Sequence, residues 1–219
     1  TPGVNLNTKE KLRIAKQLEN LGVDIIEAGF AISSPGDFDA IKTIAENVKN
    51  STIASLARAV KGDVDAALRA LDKANKKRVH IFLATSPLHR AFVDGKNDRD
   101  ELIEVFNAVI AAGATTLNVP DTVGYRTPTE IFERIKYLRE NVKGIENVDI
   151  STHCHDDLGL AVANSIAAVE AGATQIECTV NGLGERGGNT ALEEVVMILN
   201  TRKDRFKDLR TNIDTRQIY

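Results

Sequence analysis

Three segments of the chain repeat one pattern, in which a stretch of helical period ends at a glycine and a short strand-like run follows. The segments are "LGVDIIEAGF", "AGATTLNVPDTVG" and "AGATQIECTVNGLG", and their glycines are Gly22, Gly113 and Gly172. A glycine at this position can adopt the left-handed conformation that closes many helices. The pattern therefore predicts three helix-to-strand junctions.

Three further strand-like runs, "STIASLAR", "RVHIFLATS" and "VDISTHCH", lie between stretches of helical period. Strand and helix then alternate along the chain, which is typical of parallel strands joined by crossover helices. A TIM barrel and an open doubly wound sheet both satisfy this alternation. An open parallel sheet is covered on both faces, so its strands should be nearly continuous hydrophobic runs.

The predicted strands instead have one polar face each, which favours the barrel. Because side chains alternate along a strand, four polar residues of the last strand share a face: Gln175, Glu177, Thr179 and Asn181. Glu27 and Asn118 lie opposite apolar neighbours in the same way. A polar face that widens toward the carboxyl end of each strand is typical of a barrel lumen that opens into an active site.

The number of strands falls short of a complete barrel. The sequence predicts six strands, whereas a TIM barrel has eight. The chain begins as a loop that enters a helix, and the join "PLHRAFVDGKND" between about Ser86 and Asp100 is too short for a helix and a strand, since a crossover takes at least about 10 to 12 residues. We therefore predict an α/β fold, a (β/α)8 TIM barrel that forms one domain over residues 1–219 and lacks its first strand and one middle βα segment.

Composition narrows the class of partner. The chain has 219 residues, of which 42% are hydrophobic and 27% charged, as in a globular domain with a substantial core. A net charge of -3 with scattered basic residues argues against nucleic acid and anionic membranes as partners. Two cysteines do not make a disulfide framework, and no apolar run reaches the roughly 20 residues of a membrane span. We expect a cytoplasmic protein with small-molecule partners.

The stretch "STHCHDDLG" from Ser151 is the first candidate site. On a strand, His153 and His155 project from one face and Cys154 from the other. Two imidazoles can bind one divalent ion if the other nitrogen of each ring has an acceptor, which the following aspartates, Asp156 and Asp157, could supply. The alternative is that the histidines are ordinary strand-end residues and that the aspartates cap the next helix. Their position at the carboxyl end of a parallel strand favours the metal site.

The glycine-rich loop "NGLGERGGN" follows the last strand. It lacks the Gly-x-Gly-x-x-Gly arrangement of a dinucleotide site, and a tight connection would explain its glycines equally well. Asn189 at its end could bring a carbonyl oxygen to the same ion, and two nitrogens with one oxygen suit a divalent ion that keeps open positions for substrate. We assign structural roles to His80, as a buried residue at the bottom of the barrel, and to Cys154 and Cys178, as small core residues.

The motifs also occur in a characteristic order, from "TPGVNLNTKEKL" through "SPGDFDAI", "FLATSPLH", "NVPDTVGY", "STHCHDDLGLAVANS" and "ECTVNGLGERGGNTALEEVVM" to "TNIDTRQIY". In this order the whole chain resembles the catalytic barrel of the 2-isopropylmalate synthases, in the metal-dependent acyltransferase and lyase superfamily of TIM barrels. The resemblance implies a Claisen condensation of acetyl-CoA with 3-methyl-2-oxobutanoate that gives 2-isopropylmalate and CoA, the committed step toward leucine. It also implies a divalent ion (Mn²⁺, Mg²⁺ or Zn²⁺), acetyl-CoA as co-substrate, and a homodimer.

The same resemblance implies roles for individual residues. His153 and His155 are metal ligands, and Asn189 matches the asparagine of the metal site. The residues assigned to catalysis are Glu27 and Thr122, and those assigned to substrate binding are Asn118, Thr122 and Arg186. Two features of the family have no counterpart in this chain: an Arg-Asp-Gly strand, whose aspartate is a further ligand, and a Glu-containing strand at the position of the short join.

Other functions stay open on sequence grounds. Citramalate and homocitrate synthases of the same superfamily differ in the keto acid, and "GERGGN" with "ALEEVVM" favours isopropylmalate over homocitrate synthesis. Pyruvate differs from 3-methyl-2-oxobutanoate only in lacking the branch, and an apolar pocket discriminates each methyl group by about 1 to 3 kcal/mol. An alternative of another class is a non-catalytic barrel fragment that binds metal weakly.

Overall fold

A computed structural model describes residues 6–83 and 98–218, which belong to two compact units. The N-terminal unit contains residues 6–83 and 210–218, and the C-terminal unit contains residues 98–209. The elements of the N-terminal unit before residue 84 are α1 (Thr8–Leu21), β1 (Ile25–Phe30), α2 (Pro35–Asn47), β2 (Thr52–Arg58), α3 (Lys61–Ala70) and β3 (Lys77–Phe82).

The three strands of the N-terminal unit form a parallel sheet in the order β1-β2-β3. The crossover helices α2 and α3 return the chain so that consecutive strands run in the same direction. Apolar side chains from the sheet and the helices pack into one core, whose largest buried members are Ile41, Ile53 and Leu71.

The ends of α1 show how the sequence sets local structure. The Asn7 side chain accepts hydrogen bonds from the backbone N–H groups of Lys9 and Glu10, and the Glu10 carboxylate accepts the backbone N–H of Asn7, which together form a capping box. At the other end Gly22 has a φ of 96°, in the left-handed region that a side chain disfavours.

The C-terminal unit repeats the same alternation. Its elements are α4 (Asp98–Ala111), β4 (Thr116–Asp121), α5 (Pro128–Asn141), β5 (Asp149–Cys154), α6 (Ala161–Glu170), β6 (Gln175–Glu177), α7 (Leu192–Thr201) and α8 (Lys203–Phe206). The strands form a parallel sheet in the order β4-β5-β6. Helix α5 packs on this sheet through a core that includes Leu117, Ile131, Ile135, Leu138 and Ile150.

Most of the predicted elements are confirmed. All six predicted strands are present, and Gly22, Gly113 and Gly172 have φ values of 96°, 96° and 106°, as the predicted helix ends require. The join "PLHRAFVDGKND" lies almost wholly outside the described residues, as do the first five residues. None of the helices within residues 6–83 and 98–218 is long and apolar enough to cross a membrane.

The last strand is shorter than predicted. Strand β6 ends at Glu177, so of the four residues expected on its polar face only Gln175 and Glu177 belong to it. The chain then turns through a short 3-10 helix at Val180–Gly182, in which Asn181 adopts a left-handed φ of 56°. The Glu193 carboxylate, from the first turn of α7, accepts the backbone N–H of Asn181 at 3.1 Å and supports this turn.

Candidate metal centre

The two histidines of "STHCHDDLG" meet at the carboxyl end of β5. Their Nε2 atoms are 3.1 Å apart and their ring centroids 4.9 Å apart. Cys154, between them, points the other way: it is fully buried, and its Sγ lies 3.5 Å from Oγ1 of Thr152. The predicted arrangement, with both imidazoles on one face and the thiol on the other, is confirmed.

The distance between the two Nε2 atoms fits a shared ion. Two ligand atoms lie about 3 Å apart when each is about 2.1 Å from one ion and the two bonds meet near a right angle. His155 is 7% exposed, and burial, followed by the nearby charges of His153 and Arg186, lowers the pKa of its imidazole. A lowered pKa keeps the imidazole neutral, which is the form that binds a metal.

Asn189 is held beside His155 by the backbone. The two residues form an isolated antiparallel bridge, and on either side of it Asp156 donates to the carbonyl of Gly188 at 2.9 Å and Thr190 to that of Cys154 at 3.1 Å. The side-chain oxygen of Asn189 is buried and has no hydrogen-bond partner among the described residues. A buried polar atom without a partner costs about 1 to 3 kcal/mol, so a ligand is expected to complete this site.

A glycine leaves room for the Asn189 amide. A Cβ atom on Gly184 would lie 2.6 Å from Cγ of Asn189 and 2.7 Å from its Oδ1. Real Cβ contacts are longer than this, so any other residue at position 184 would displace the amide. The glycine-rich loop is therefore more than a tight connection: one of its glycines is required by the packing of a candidate ligand.

Two imidazoles and one amide oxygen are the donors that the described residues bring together. Within residues 6–83 and 98–218, no group of three or more His, Cys, Asp or Glu side chains is arranged to hold a metal. The donor set accordingly fits a divalent ion that takes further oxygen ligands from elsewhere.

The carboxylate beside His153 belongs to a residue that the sequence analysis did not assign to the site. Nδ1 of His153 lies 3.1 Å from Oε2 of Glu177, which is its register partner on β6. The expectation that Asp156 or Asp157 would accept from the histidines is wrong. Asp156 caps α6 by accepting the backbone N–H of Ala161 at 2.8 Å, and Asp157 binds an arginine.

The arginine that binds Asp157 is Arg186, and it ties three loops together. Its Nε and Nη2 donate to the two carboxylate oxygens of Asp157 at 2.7 and 3.0 Å, and Nη2 also donates to the backbone carbonyl of Thr122 at 2.7 Å. The arginine lowers the pKa of the Asp157 carboxyl. Substrate binding by Arg186 stays a prediction, but its contacts show a guanidinium that joins the loops after β4, β5 and β6.

The remaining candidates of the C-terminal unit lie on or just after β4. Asn118 pairs in register with Ser151 on β5, and its side-chain oxygen is buried without a partner among the described residues. Thr122 follows the last residue of the strand and is exposed. These positions suit contacts with a substrate, which stay predictions.

Glu27 belongs to the N-terminal unit, where it meets His80. Oε1 of Glu27 lies 2.7 Å from Nδ1 of His80, and the two side chains are 42% and 21% exposed. The expectation that His80 would be a buried residue at the start of its strand is wrong. It is the fourth residue of β3, and its side chain reaches across β2 to the carboxylate on β1.

Comparison with known families and sequences gives one consistent result. The chain matches the HMGL-like family model over residues 1–96 and 92–219. It is 52% identical over 251 residues to the 2-isopropylmalate synthase of Ruminiclostridium cellulolyticum, with 100% of this chain and 49% of the relative covered. It is 52% identical over 250 residues to that of Pyrococcus furiosus, with 100% and 50% covered. The chain thus spans about half the length of the curated relatives it matches.

Solved structures confirm the fold class. The hydroxymethylglutaryl-CoA lyase of Pseudomonas aeruginosa superposes with a TM-score of 0.78 at 22% identity, over 99% of this chain and 84% of that chain. The HMG-CoA lyase of Bacillus subtilis gives a TM-score of 0.77 at 20% identity, over 99% and 85%. At this identity the likeness concerns the fold alone, and it confirms the predicted incomplete (β/α)8 barrel.

The comparisons also support the predicted loss of an internal segment. The alignment with the Ruminiclostridium relative has 251 positions, 32 more than the 219 residues of this chain. The family model is matched in two pieces that meet at residues 92–96. About 30 residues are enough for an average helix and strand with their loops. The division of the family match falls at the predicted join, and the absence of one βα segment there stays a prediction.

Proposed function

Because the chain belongs to the HMGL-like family, we propose that it forms the catalytic barrel of a 2-isopropylmalate synthase. The proposed reaction is the Claisen condensation of acetyl-CoA with 3-methyl-2-oxobutanoate. The observation that carries the proposal is the pair of imidazole nitrogens 3.1 Å apart. The side-chain oxygen of Asn189, whose backbone bridges to His155, is buried without a hydrogen-bond partner among the described residues. Relatives about half identical to the whole chain have this name.

The side chains of the C-terminal unit would bind and orient the keto acid. His153, His155 and Asn189 would hold a divalent ion, which when bound supplies a Lewis acid for the keto acid's carboxylate and carbonyl. The Asn118 amide and the Thr122 hydroxyl can donate hydrogen bonds to substrate oxygens. Arg186 would keep the loop of Thr122 in place through the carbonyl that it binds. Holding the reactants in one orientation supplies a large part of the rate enhancement in such reactions.

Glu27 is proposed to act through His80. Its carboxylate lies within hydrogen-bond distance of Nδ1 of His80, so it can fix the orientation of that ring, whose imidazole can exchange a proton near neutral pH. The condensation requires removal of a proton from the thioester methyl group by a base. The pair offers this proton chemistry in the N-terminal unit.

The assembly and location follow from the same proposal. We propose that the two units are halves of a single catalytic domain, that the partners are small molecules, and that the protein is a cytoplasmic homodimer. The scattered basic residues and the net charge of -3 support the absence of nucleic acid and membrane partners.

Release of CoA tests the proposal directly. The chain, purified and supplied with Mn²⁺ and acetyl-CoA, is given 3-methyl-2-oxobutanoate, pyruvate or 2-oxoglutarate in separate reactions, and the free thiol is measured. We expect the fastest release with 3-methyl-2-oxobutanoate. Faster release with pyruvate would indicate a citramalate synthase, and faster release with 2-oxoglutarate a homocitrate synthase.

A second function, a non-catalytic barrel fragment, is favoured by the 32 positions that this chain lacks relative to an alignment of 251. Such a fragment would bind Mn²⁺ through the two histidines but release no CoA with any keto acid. Metal binding without turnover would therefore support the fragment over the enzyme.

A further inference from the structure

We infer that Glu177 is a positioning residue for the candidate metal centre, whose carboxylate holds the His153 ring in the tautomer that carries its proton on Nδ1. In this tautomer the lone pair of Nε2 faces the ion. The inference deepens the proposed function and rests on its metal site.

The geometry places the carboxylate beside the correct nitrogen. Glu177 is the last residue of β6 and pairs in register with His153 on β5, so the two side chains leave the same face of the sheet. Oε2 lies 3.1 Å from Nδ1, and the side chains are 23% and 27% exposed. The two atoms are within ion-pair distance but do not form a hydrogen bond in the structure, so the His153 ring must rotate slightly to point its N–H at the oxygen.

A second polar contact positions the Glu177 carboxylate. Its other oxygen, Oε1, lies 3.4 Å from Oγ of Ser151, a fully buried residue, and Gln175 donates from Nε2 to the same hydroxyl at 2.9 Å. Gln175, Ser151 and Glu177, on one face of the sheet, therefore form a series of polar contacts that leads to His153. Outer hydrogen bonds of this kind orient metal-binding imidazoles and raise their basicity.

The contact between the two histidines leads to the same tautomer by a separate route. Nδ1 of His155 and Nδ1 of His153 are both buried and form no hydrogen bond among the described residues, but Nδ1 of His153 has a carboxylate oxygen 3.1 Å away, whereas no such contact is present at Nδ1 of His155. A buried N–H without an acceptor is less tolerable than a bare acceptor atom, so the proton of a neutral His155 belongs on Nε2. That N–H can donate to Nε2 of His153, 3.1 Å away, which leaves the proton of His153 on Nδ1, beside Glu177.

In the metal-free chain, the imidazoles of His153 and His155 therefore differ in which nitrogen carries the proton. His153 already presents its Nε2 lone pair, whereas His155 must give up the proton on Nε2 to bind. Removal of Glu177 should take away the carboxylate that favours the proton of His153 on Nδ1, so the contact with His155 alone would then maintain this tautomer and its population should fall. Mutation of such outer partners reduces metal affinity by about 10- to 100-fold in other metal sites.

Two measurements on the metal-free and Mn²⁺-titrated chain test the inference. Long-range ¹H–¹⁵N spectra of the metal-free chain should show His153 protonated on Nδ1 and His155 on Nε2. Mn²⁺ titration, followed by the EPR signal of free Mn²⁺, should show a dissociation constant about 10- to 100-fold higher for Glu177→Ala. Glu177→Gln should fall between, because its amide oxygen can still accept a hydrogen bond but has no charge.

Glu185→Gln is the matched control. It removes one carboxylate from the glycine-rich loop, and that carboxylate binds Arg186 rather than His153. We expect its Mn²⁺ affinity to change by less than about threefold, since an exposed charge acts weakly through solvent.

The inference is overturned if His153 of the unmutated chain has its proton on Nε2, a measurement that needs no variant to fold. It is also overturned if folded Glu177→Ala binds Mn²⁺ as tightly as the unmutated chain. If the unmutated chain binds no Mn²⁺ but shows the expected tautomers, the metal site of the proposed function fails while the positioning of His153 by Glu177 stands.

Discussion

The two parallel sheets contain three strands each, but their carboxyl ends differ. After β4, β5 and β6, the loops are joined by the Arg186 guanidinium, which binds both Asp157 and a backbone carbonyl. At the ends of β1 and β3, two aromatic rings meet instead: Phe30 and Phe82 pack edge to face with centroids 6.1 Å apart. Polar loops that bind one another can hold ligand atoms in fixed positions, whereas an aromatic edge provides apolar surface. The metal chemistry is therefore expected in the C-terminal unit.

Loss of a ligand should give the largest effect. His155→Ala removes one of the two imidazoles, and we expect the Mn²⁺ dissociation constant to rise by at least about 100-fold, beyond the effect of losing an outer partner. Isothermal titration calorimetry on the metal-free chain measures it. The matched change in the other unit, His80→Ala, should leave Mn²⁺ affinity within about threefold. Equal losses of Mn²⁺ affinity in His155→Ala and His80→Ala would contradict the assignment of the metal site to the C-terminal unit.

The two arginine clamps provide the next test. Arg186→Lys replaces a guanidinium that binds two carboxylate oxygens with a single ammonium, and we expect turnover to fall by about tenfold and the free energy of unfolding to fall slightly.

Arg58→Lys is the control for this substitution, because Arg58 grips Asp63 in the same two-pronged way at 2.7 and 3.0 Å. We expect a similar loss of stability in urea unfolding but unchanged turnover. A drop in turnover for Arg58→Lys as large as for Arg186→Lys would show that the clamps act only through stability.

A smaller effect is expected from one added methyl group. Gly184→Ala places a Cβ atom 2.6 Å from Cγ of Asn189, so the amide must shift, and we expect Mn²⁺ affinity to fall by about threefold to tenfold. Gly62→Ala adds the same methyl group in α3, where it meets nothing within 4 Å, and should stabilise the helix by about 0.5 to 1 kcal/mol. Unchanged Mn²⁺ affinity in Gly184→Ala would argue against Asn189 as a ligand.

The smallest effect concerns acid stability in the N-terminal unit. Hydrogen bonds from Ser33, Lys11 and Ser34 lower the pKa of Asp37 from 3.8 to about 2. A lowered pKa in the folded state stabilises the fold above pH 4 or so, and this contribution is lost as the pH falls through about 2. Because the Asp37 side chain is 32% exposed, we expect Asp37→Asn to reduce the free energy of unfolding at pH 7 by about 1 kcal/mol.

Urea unfolding of both proteins between pH 7 and pH 2 measures this difference. The unfolding curves should converge toward the acid end of the range, and a difference independent of pH would contradict the assigned cause. Asp37 lies in the first turn of α2 and is remote from the candidate ligands in sequence. The Mn²⁺ affinity of Asp37→Asn at pH 7 should therefore equal that of the unmutated chain.

The strands, the helix ends and the shared face of the histidines were predictable because each depends on near neighbours in sequence. Gly22 closes α1 through its own backbone, and Cys154 points away from the histidines by simple alternation. The shortage of strands relative to a complete barrel could also be read from the spacing of the elements.

Partners distant in sequence were not predictable in the same way. Glu177 was placed on the polar face, but its contact with His153 depends on the register between β5 and β6. Asp157 was assigned to the histidines because it is near them in sequence, whereas the structure pairs it with Arg186, 29 positions away. The turn after β6 likewise includes a distant contact, because the Glu193 carboxylate of the following helix accepts the backbone N–H of Asn181.

The backbone bridge between His155 and Asn189 has a consequence for the rate at which an ion would exchange. The hydrogen bonds on either side of this bridge, from Asp156 to Gly188 and from Thr190 to Cys154, keep the two backbones together. A side chain that rotates away from a shared ion therefore stays close enough to bind it again, which is the kinetic form of the chelate effect. Complete loss of the ion should then be slower than side-chain rotation and should become faster when local unfolding opens this pair of backbone hydrogen bonds.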